Sequence, residues 1–257
     1  MLHYAGPGMK GPFFRARKLL TDQIPTIDAH IHTSLTDGYS SLEDYVLKAR
    51  ELGLSAIAFT EHAGNTSTWF EEYAGSKERL QQLAGPVRVY LGAEVKLTHP
   101  DGKLNLDGQR IAKMDFVVGV LHRYPDAAAG YLSFKNLDPK EAMDIDYRLS
   151  LALVANPMVD VFGHPAGVYS FYFGKYHTGR LHDLIAFAAS NGRVIEINSN
   201  PRYRHVFPII LETCLELDCT ISIGSDAHTV DELGHVVSFL RESIKTSSRR
   251  KEKLNED

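Results

Sequence analysis

Residues 26–62 read TIDAHIHTSLTDGYSSLEDYVLKARELGLSAIAFTEH, and their reading decides the fold. Residues 26–30 predict a short strand. Residues 40–52 predict a helix: Leu42, Tyr45, Val46 and Ala49 recur on one stripe, Ser40 or Ser41 stands at the N-cap, and Gly53 ends it. Residues 55–60, SAIAFT, are almost wholly apolar, as suits a strand covered on both faces. A strand, a helix and a second strand joined by short loops form a parallel β/α unit.

The unit repeats toward the C-terminus. Strands are predicted at 87–94, 115–121, 160–163, 194–198 and 220–224. Helices are predicted at 67–83, 138–155, 179–190, 207–217 and 231–245. Pro100-Asp101-Gly102 marks a turn, Asp138 followed by Pro139 a helix start, and Asn191-Gly192 a helix end. About seven β/α units result, with no linker between them, so residues 1–257 read as one α/β barrel domain. Residues 1–25 and 123–137 fall outside the repeat and read as a cover and a loop over one end; the charged residues 246–257 read as a flexible tail. The competing open, doubly wound sheet has no support, because no Gly-x-Gly-x-x-Gly follows the first strand.

Composition narrows the function. Hydrophobic residues make up 44% and charged residues 23%, the balance of a soluble globular protein. A net charge of −4 argues against a strongly basic nucleic-acid surface. No apolar run reaches the ~20 residues that span a bilayer, and the N-terminal residues lack the apolar core of a signal peptide. Cys214 and Cys219 are too few for a disulfide framework. A cytoplasmic protein without membrane contact is expected.

The chemistry sits at the strand ends. His30 and His32 end the first strand, Glu61-His62 the second, Glu94 the third, His122 the fourth, His164 the fifth, and Asp226-Ala227-His228 the seventh. In a barrel these ends converge on one face, where active sites lie. Residues two apart on a strand point to the same side, so His30 with His32, and Asp226 with His228, are each placed to reach one metal. Asp37, in the loop after the first strand, is positioned to join them. Six histidines and three carboxylates are too many for one metal that keeps an open position. They suit three divalent ions, with a carboxylate as bridge, and the mixture of imidazole and carboxylate favours zinc, manganese or iron. Three such ions, three carboxylates and a bridging hydroxide leave the pocket at about +2, which attracts an anion such as a phosphoryl group.

The segments Asp28-Ala29-His30-Ile31-His32, Thr36-Asp37-Gly38, Thr60-Glu61-His62, Gly92-Ala93-Glu94, Leu121-His122-Arg123, Gly163-His164-Pro165 and Gly224-Ser225-Asp226-Ala227-His228 resemble, in this order, those of the polymerase and histidinol phosphatase (PHP) superfamily. The resemblance runs from about residue 26 to 240. It implies a distorted (β/α)7 barrel and a trinuclear site. His30, His32, Glu94 and Asp226 would hold the first metal. Glu94 would bridge to a second, completed by His122 and His164, and Asp37, His62 and His228 would hold the third. The chain looks like a stand-alone phosphoesterase-like member, since no polymerase domain is attached.

The expected activity is hydrolysis of a phosphate ester on a small molecule by a metal-activated hydroxide, with Glu94 and Asp226 central to catalysis. Arg123, Arg202 and Lys96 are the candidate phosphate-binding cations. Glu61 is expected to orient His62 or another ligand. His99, His177, His182, His205 and His235 are left outside the site. Tyr169, Tyr172 and Tyr176 are candidates for a wall around the leaving group. The alternatives are a nuclease acting on DNA or RNA ends, an amidohydrolase-type C–N hydrolase, and a non-enzymatic metal domain. Histidinol phosphate, a nucleotide, an oligonucleotide end and a phosphoprotein all stay open as substrates.

Overall fold

A computed structural model of the chain describes residues 10–21, 24–128 and 130–254, the last ten of these as backbone only. The strands are β1 (Phe14–Arg15), β2 (Ile27–Ile31), β3 (Ala56–His62), β4 (Arg88–Lys96), β5 (Phe116–Val120), β6 (Val161–Phe162), β7 (Val194–Asn198) and β8 (Thr220–Gly224). The helices are α1 (Leu42–Glu51), α2 (Phe70–Gly75), α3 (Lys77–Ala84), α4 (Gly108–Ile111), α5 (Pro139–Ala155), α6 (Gly167–Phe173), α7 (Thr178–Ser190), α8 (Phe207–Leu217) and α9 (His235–Leu254).

Strands β2 to β8 pair in chain order and all in parallel. A parallel bridge between Ile31 and Ala227 joins the end of β2 to the residues that follow β8. There the His32 N–H donates to Ala227 O at 2.9 Å and the Ala227 N–H to His30 O at 3.3 Å. This contact closes the seven parallel strands into a barrel, the fold expected from the strand–helix repeat. Strands β2, β5, β6 and β7 are buried at every position, so Asp28 and His30 on β2 and Glu196 and Asn198 on β7 are buried with their apolar neighbours.

An eighth strand was not expected. β1 runs antiparallel to the start of β8, with Phe14 opposite Ile221 and Arg15 opposite Thr220. Two residues are too short to leave a periodic signal. The pairing sets this part of the N-terminal cover at the barrel end away from the strand C-termini; residues 1–9 and 22–23 of that cover lie outside the described residues.

Local chemistry fixes the helices. Ser41 and Asp44 form a capping box at the start of α1, and Gly53, at φ +65°, ends it. Asp138 caps α5 by accepting from the N–H groups of Lys140 and Glu141. The helix expected over 67–83 is two helices, broken at Ser76, whose hydroxyl donates to Tyr73 O at 2.7 Å. The last helix starts later than expected: a 3-10 turn (Val230–Glu232) and Gly234 at positive φ precede α9. The α9 backbone continues to Leu254 through most of the expected tail, and residues 255–257 lie outside the described residues. No described helix is long and apolar enough to cross a membrane.

Candidate metal centre

Because β2 to β8 all run the same way, their C-terminal ends share one rim. His62 ends β3 and pairs in register with Glu94 on β4. His30 lies on β2, and His32, His122, His164, Asp226 and His228 lie one to four residues past the ends of β2, β5, β6 and β8. Asp37 sits in the turn after β2, where Thr36 N and Gly38 N both donate to Thr33 O. Gly38 has no room for a side chain: a Cβ there would lie 2.3 Å from His32 O.

The nine side chains expected to form the site meet there, around Glu94. His164, His122 and His30 bring Nε2 to 3.0, 3.4 and 3.6 Å from Glu94 Oε1. On the other carboxylate oxygen, His32 Nε2 stands 3.7 Å from Oε2, and His62 Nδ1 lies against it. Asp226 Oδ1 is 3.4 Å from His32 Nε2 and 3.7 Å from His30 Nε2. Asp37 Oδ2 faces His62 Nε2 at 3.1 Å and His228 Nε2 at 3.4 Å. Among the described residues, three groups have donor atoms within 4.8 Å of one another: His30, His32 and Asp226; His62, Glu94 and His122; and His32, His62 and His228. His32 and His62 each belong to two of them, so the cluster is continuous.

Two ligand candidates sit in strained backbone. His164 has φ 26° and Asp226 φ 57°, a region non-glycine residues rarely occupy. Such strain of about 1–3 kcal/mol per residue survives only where surrounding structure holds it. Asp28 supplies part of that hold next to Asp226. Its buried carboxylate accepts from Ser225 N at 2.9 Å, Ser225 Oγ at 2.5 Å and Gly234 N at 2.7 Å.

The electrostatics follow from crowding acids and imidazoles in a buried space. Burial pushes Glu94 up, but His122 and His62 beside it hold its carboxyl well below the usual range. Asp226 is likewise raised by burial yet brought down to about 2 by His30 and His32. Burial lowers His30 and His62, and their carboxylate neighbours outweigh it. Glu196 and Asp226 carry His30 up to about 10, and Glu94 and Asp37 carry His62 up to about 11. Carboxylates that favour a proton on these rings favour a metal cation in the same place.

The donor set fits divalent metals. His30 Nδ1 donates to Glu196 Oε1 at 2.5 Å and His228 Nδ1 to Asp226 O at 2.9 Å, which turns Nε2 of each ring toward the cluster. Buried His32 Nδ1 has no hydrogen-bond partner among the described residues.

Glu196 on β7 was not foreseen in the sequence. Its second oxygen accepts from the His164 N–H at 2.5 Å, so one buried carboxylate braces two rim histidines. The signal was present: an acid within Val-Ile-Glu-Ile-Asn, an otherwise apolar strand. Asn200, which donates to Asp226 Oδ2 at 3.2 Å, and Tyr203, which stacks on His164 at 4.7 Å, were also missed. Glu61 braces the loop carrying Asp37 instead of a ring, accepting from Thr33 N at 3.0 Å and Thr36 Oγ1 at 2.5 Å.

The cluster floors a cavity of about 270 Å³. Arg202 lines it, along with Phe171 and Tyr172. Lys96 and Arg123 are not among its lining residues; both flank the Tyr131 ring, at 6.0 and 5.6 Å. Of the candidate tyrosine wall, Tyr172 faces the cavity, whereas Tyr169 and Tyr176 are buried. His177 caps α7, and His99 and His182 pair with surface acids. A wider hollow of about 850 Å³ between α5 and α7, lined by Asp144, Arg148 and Arg180 among others, contains no histidine.

The family model for the PHP domain matches residues 28–200. A probable phosphatase of Thermoanaerobacter sp. (strain X514) is 25% identical over 228 residues, covering 84% of each chain. The DNA polymerase/3′-5′ exonuclease PolX of Bacillus subtilis is 26% identical over 235 residues, 89% of this chain and 38% of PolX. Among solved structures, histidinol phosphate phosphatase from Lactococcus lactis, complexed with zinc, L-histidinol and phosphate, has the same fold. It superposes with a TM-score of 0.64 at 19% identity, covering 84% of this chain and 93% of that one.

Proposed function

The chain belongs to the PHP domain family, and from that premise we propose that it is a phosphatase, a metal-dependent hydrolase of small-molecule phosphomonoesters. The observation that carries this reading is the convergence of His30, His32, Asp37, His62, Glu94, His122, His164, Asp226 and His228 on one rim around a single buried carboxylate. These nine residues are the proposed ligands of three divalent ions, zinc, manganese or iron by the donor chemistry. Zinc in the Lactococcus lactis relative supports that choice, and its bound histidinol and phosphate support a small phosphorylated substrate. Divalent ions bound there supply Lewis acidity for activating water and offsetting phosphoryl charge.

The protein's own groups do the rest. Glu94 and Asp226, held ionised, set the negative field that retains cations. Glu196 and the Asp226 carbonyl keep Nε2 of His30 and His228 turned inward. Arg202, at the cavity wall, adds a fixed positive charge that draws a phosphorylated substrate into the cavity. The barrel acts as one catalytic domain.

A second reading, removal of nucleotides from a DNA or RNA end, is favoured by the similarity to PolX. Metal analysis of the purified protein joined to a screen of phosphate mono- and diesters tests both. About three equivalents of transition metal with monoester turnover is the expected result. Turnover confined to diesters favours the second reading, and full metal loading with no turnover on any phosphoester refutes both.

A further inference from the structure

Helix α6 has no counterpart in the strand–helix repeat, yet it is fastened to the metal centre. It starts three residues after His164, across His164 and Ala166, both at positive φ. At its first residue, Gly167, an added Cβ would lie 2.7 Å from the Tyr203 ring and 3.2 Å from His164 Nδ1, so the helix packs directly on the stacked pair. Two consecutive aromatic side chains of α6 then face outward. Phe171 is 56% and Tyr172 53% exposed, although Tyr169, on the same helix, is buried. Adjacent large aromatics left in water mark a binding surface.

Their geometry defines what they take. The Phe171 and Tyr172 rings meet at 89° with centroids 4.9 Å apart, forming a corner. Phe134 stacks behind Tyr172 at 4.1 Å and fixes that wall. The Arg202 guanidinium lies 5.9 Å from the Phe171 ring. Both rings and Arg202 line the same cavity as Glu94, His122 and His164. An aliphatic group in this corner gains only buried area. A planar heteroaromatic ring adds stacking on Phe171 and a cation–π contact with Arg202. The cavity is at the small end of ligand pockets, suited to one ring system and a phosphate.

We propose that Phe171, Tyr172 and Arg202 form the leaving-group subsite, and that it selects nucleoside monophosphates by stacking the base. The inference rests on the phosphomonoesterase reading. In the reaction the water oxygen bonds to phosphorus, the P–O5′ bond breaks, and the nucleoside leaves on O5′ with a proton, giving inorganic phosphate.

The test compares AMP with ribose 5-phosphate, which has the same sugar and phosphate and no base, on the metal-loaded full chain. Stacking of one base on an aromatic side chain corresponds to about 10-fold or more. kcat/KM for AMP should exceed that for ribose 5-phosphate by that factor. The ratio should fall toward 1 in Phe171→Ala and in the bulk-retaining Phe171→Leu, with the loss in KM. Independently of turnover, calorimetry should detect adenosine binding to the wild-type chain, weaker in both variants, and no binding of ribose. Turnover of ribose 5-phosphate equal to that of AMP, or a ratio unmoved by both variants, overturns the subsite and leaves the phosphatase reading standing. Failure to hydrolyse either compound, while other monoesters turn over, also overturns the subsite. Failure on every monoester overturns both.

Discussion

Replacing Glu196 with Gln tests how the rim is aimed. The wild-type carboxylate accepts two hydrogen bonds, from His30 Nδ1 at 2.5 Å and from the His164 N–H at 2.5 Å, in a site closed to water. Gln has the same shape but only one acceptor end. Its amide nitrogen must face one of two donors, so one buried donor loses its partner at a cost of about 1–3 kcal/mol. The His30 ring has one escape, moving its proton from Nδ1 to Nε2, which turns an N–H toward the cluster and removes the lone pair a metal needs. Both routes weaken metal binding, and loss of such a brace is worth ~10–100-fold in affinity or activity. Competition with a chelator should therefore show metal affinity lowered by that factor. kcat/KM at saturating metal should recover further than kcat/KM at limiting metal. Affinity and activity both within twofold of wild type would refute the argument that Glu196 orients the rim.

Asp226→Asn and His122→Ala should each lower kcat by about 1000-fold or more, with far-UV circular dichroism and the thermal midpoint close to wild type, because both side chains act at the rim and not in the core. Gly224→Ala should reduce both metal stoichiometry and stability, since its Cβ would lie 2.4 Å from the His30 Cβ; chelator competition and urea unfolding measure the two losses. Buried Asp146 has its carboxyl raised by burial to about 6, only partly offset by the hydrogen bond from Tyr124 OH at 2.9 Å. A folded pKa above the unfolded one favours the protonated native state, so wild-type stability carries a penalty that grows as pH rises from about 4 through 6, reaching roughly 3 kcal/mol. Asp146→Asn should therefore gain stability relative to wild type between pH 4 and pH 7 in thermal melts; a difference independent of pH refutes the assignment.

The barrel was legible because its strands are apolar runs with chemistry at their ends. Residues 194–198, 207–217 and 220–224 coincide with β7, α8 and β8. What stayed hidden has physical reasons. β1 is two residues long, and its pairing is with a strand two hundred residues away. α6, reading GVYSFYF, is rich in aromatic residues of modest helix propensity, and it starts after backbone in the left-handed region that no sequence motif announced. Most ligand candidates were visible because they end a strand or follow one closely, and Glu94 because the sequence reading ends its strand at residue 94, two residues before β4 ends. Glu196 was passed over because it lies inside a strand, two residues short of its end, although an acid buried between isoleucines always demands a partner. The candidate phosphate-binding cations were the least legible, since loop paths set their reach: Arg202 lines the cavity, whereas Arg123 and Lys96 do not.

Closing the barrel through Ile31 and Ala227 ties the first rim histidines to the last, and Asp28 to Ser225 across 197 positions. During synthesis, a chain emerging from the ribosome has His30 and His32 long before Asp226 and His228 exist, so its earliest imidazoles wait without the acids that complete them. Capture of a full metal complement thereby becomes a report that the final strand has docked, and a chain truncated before residue 220 should be born unable to hold it.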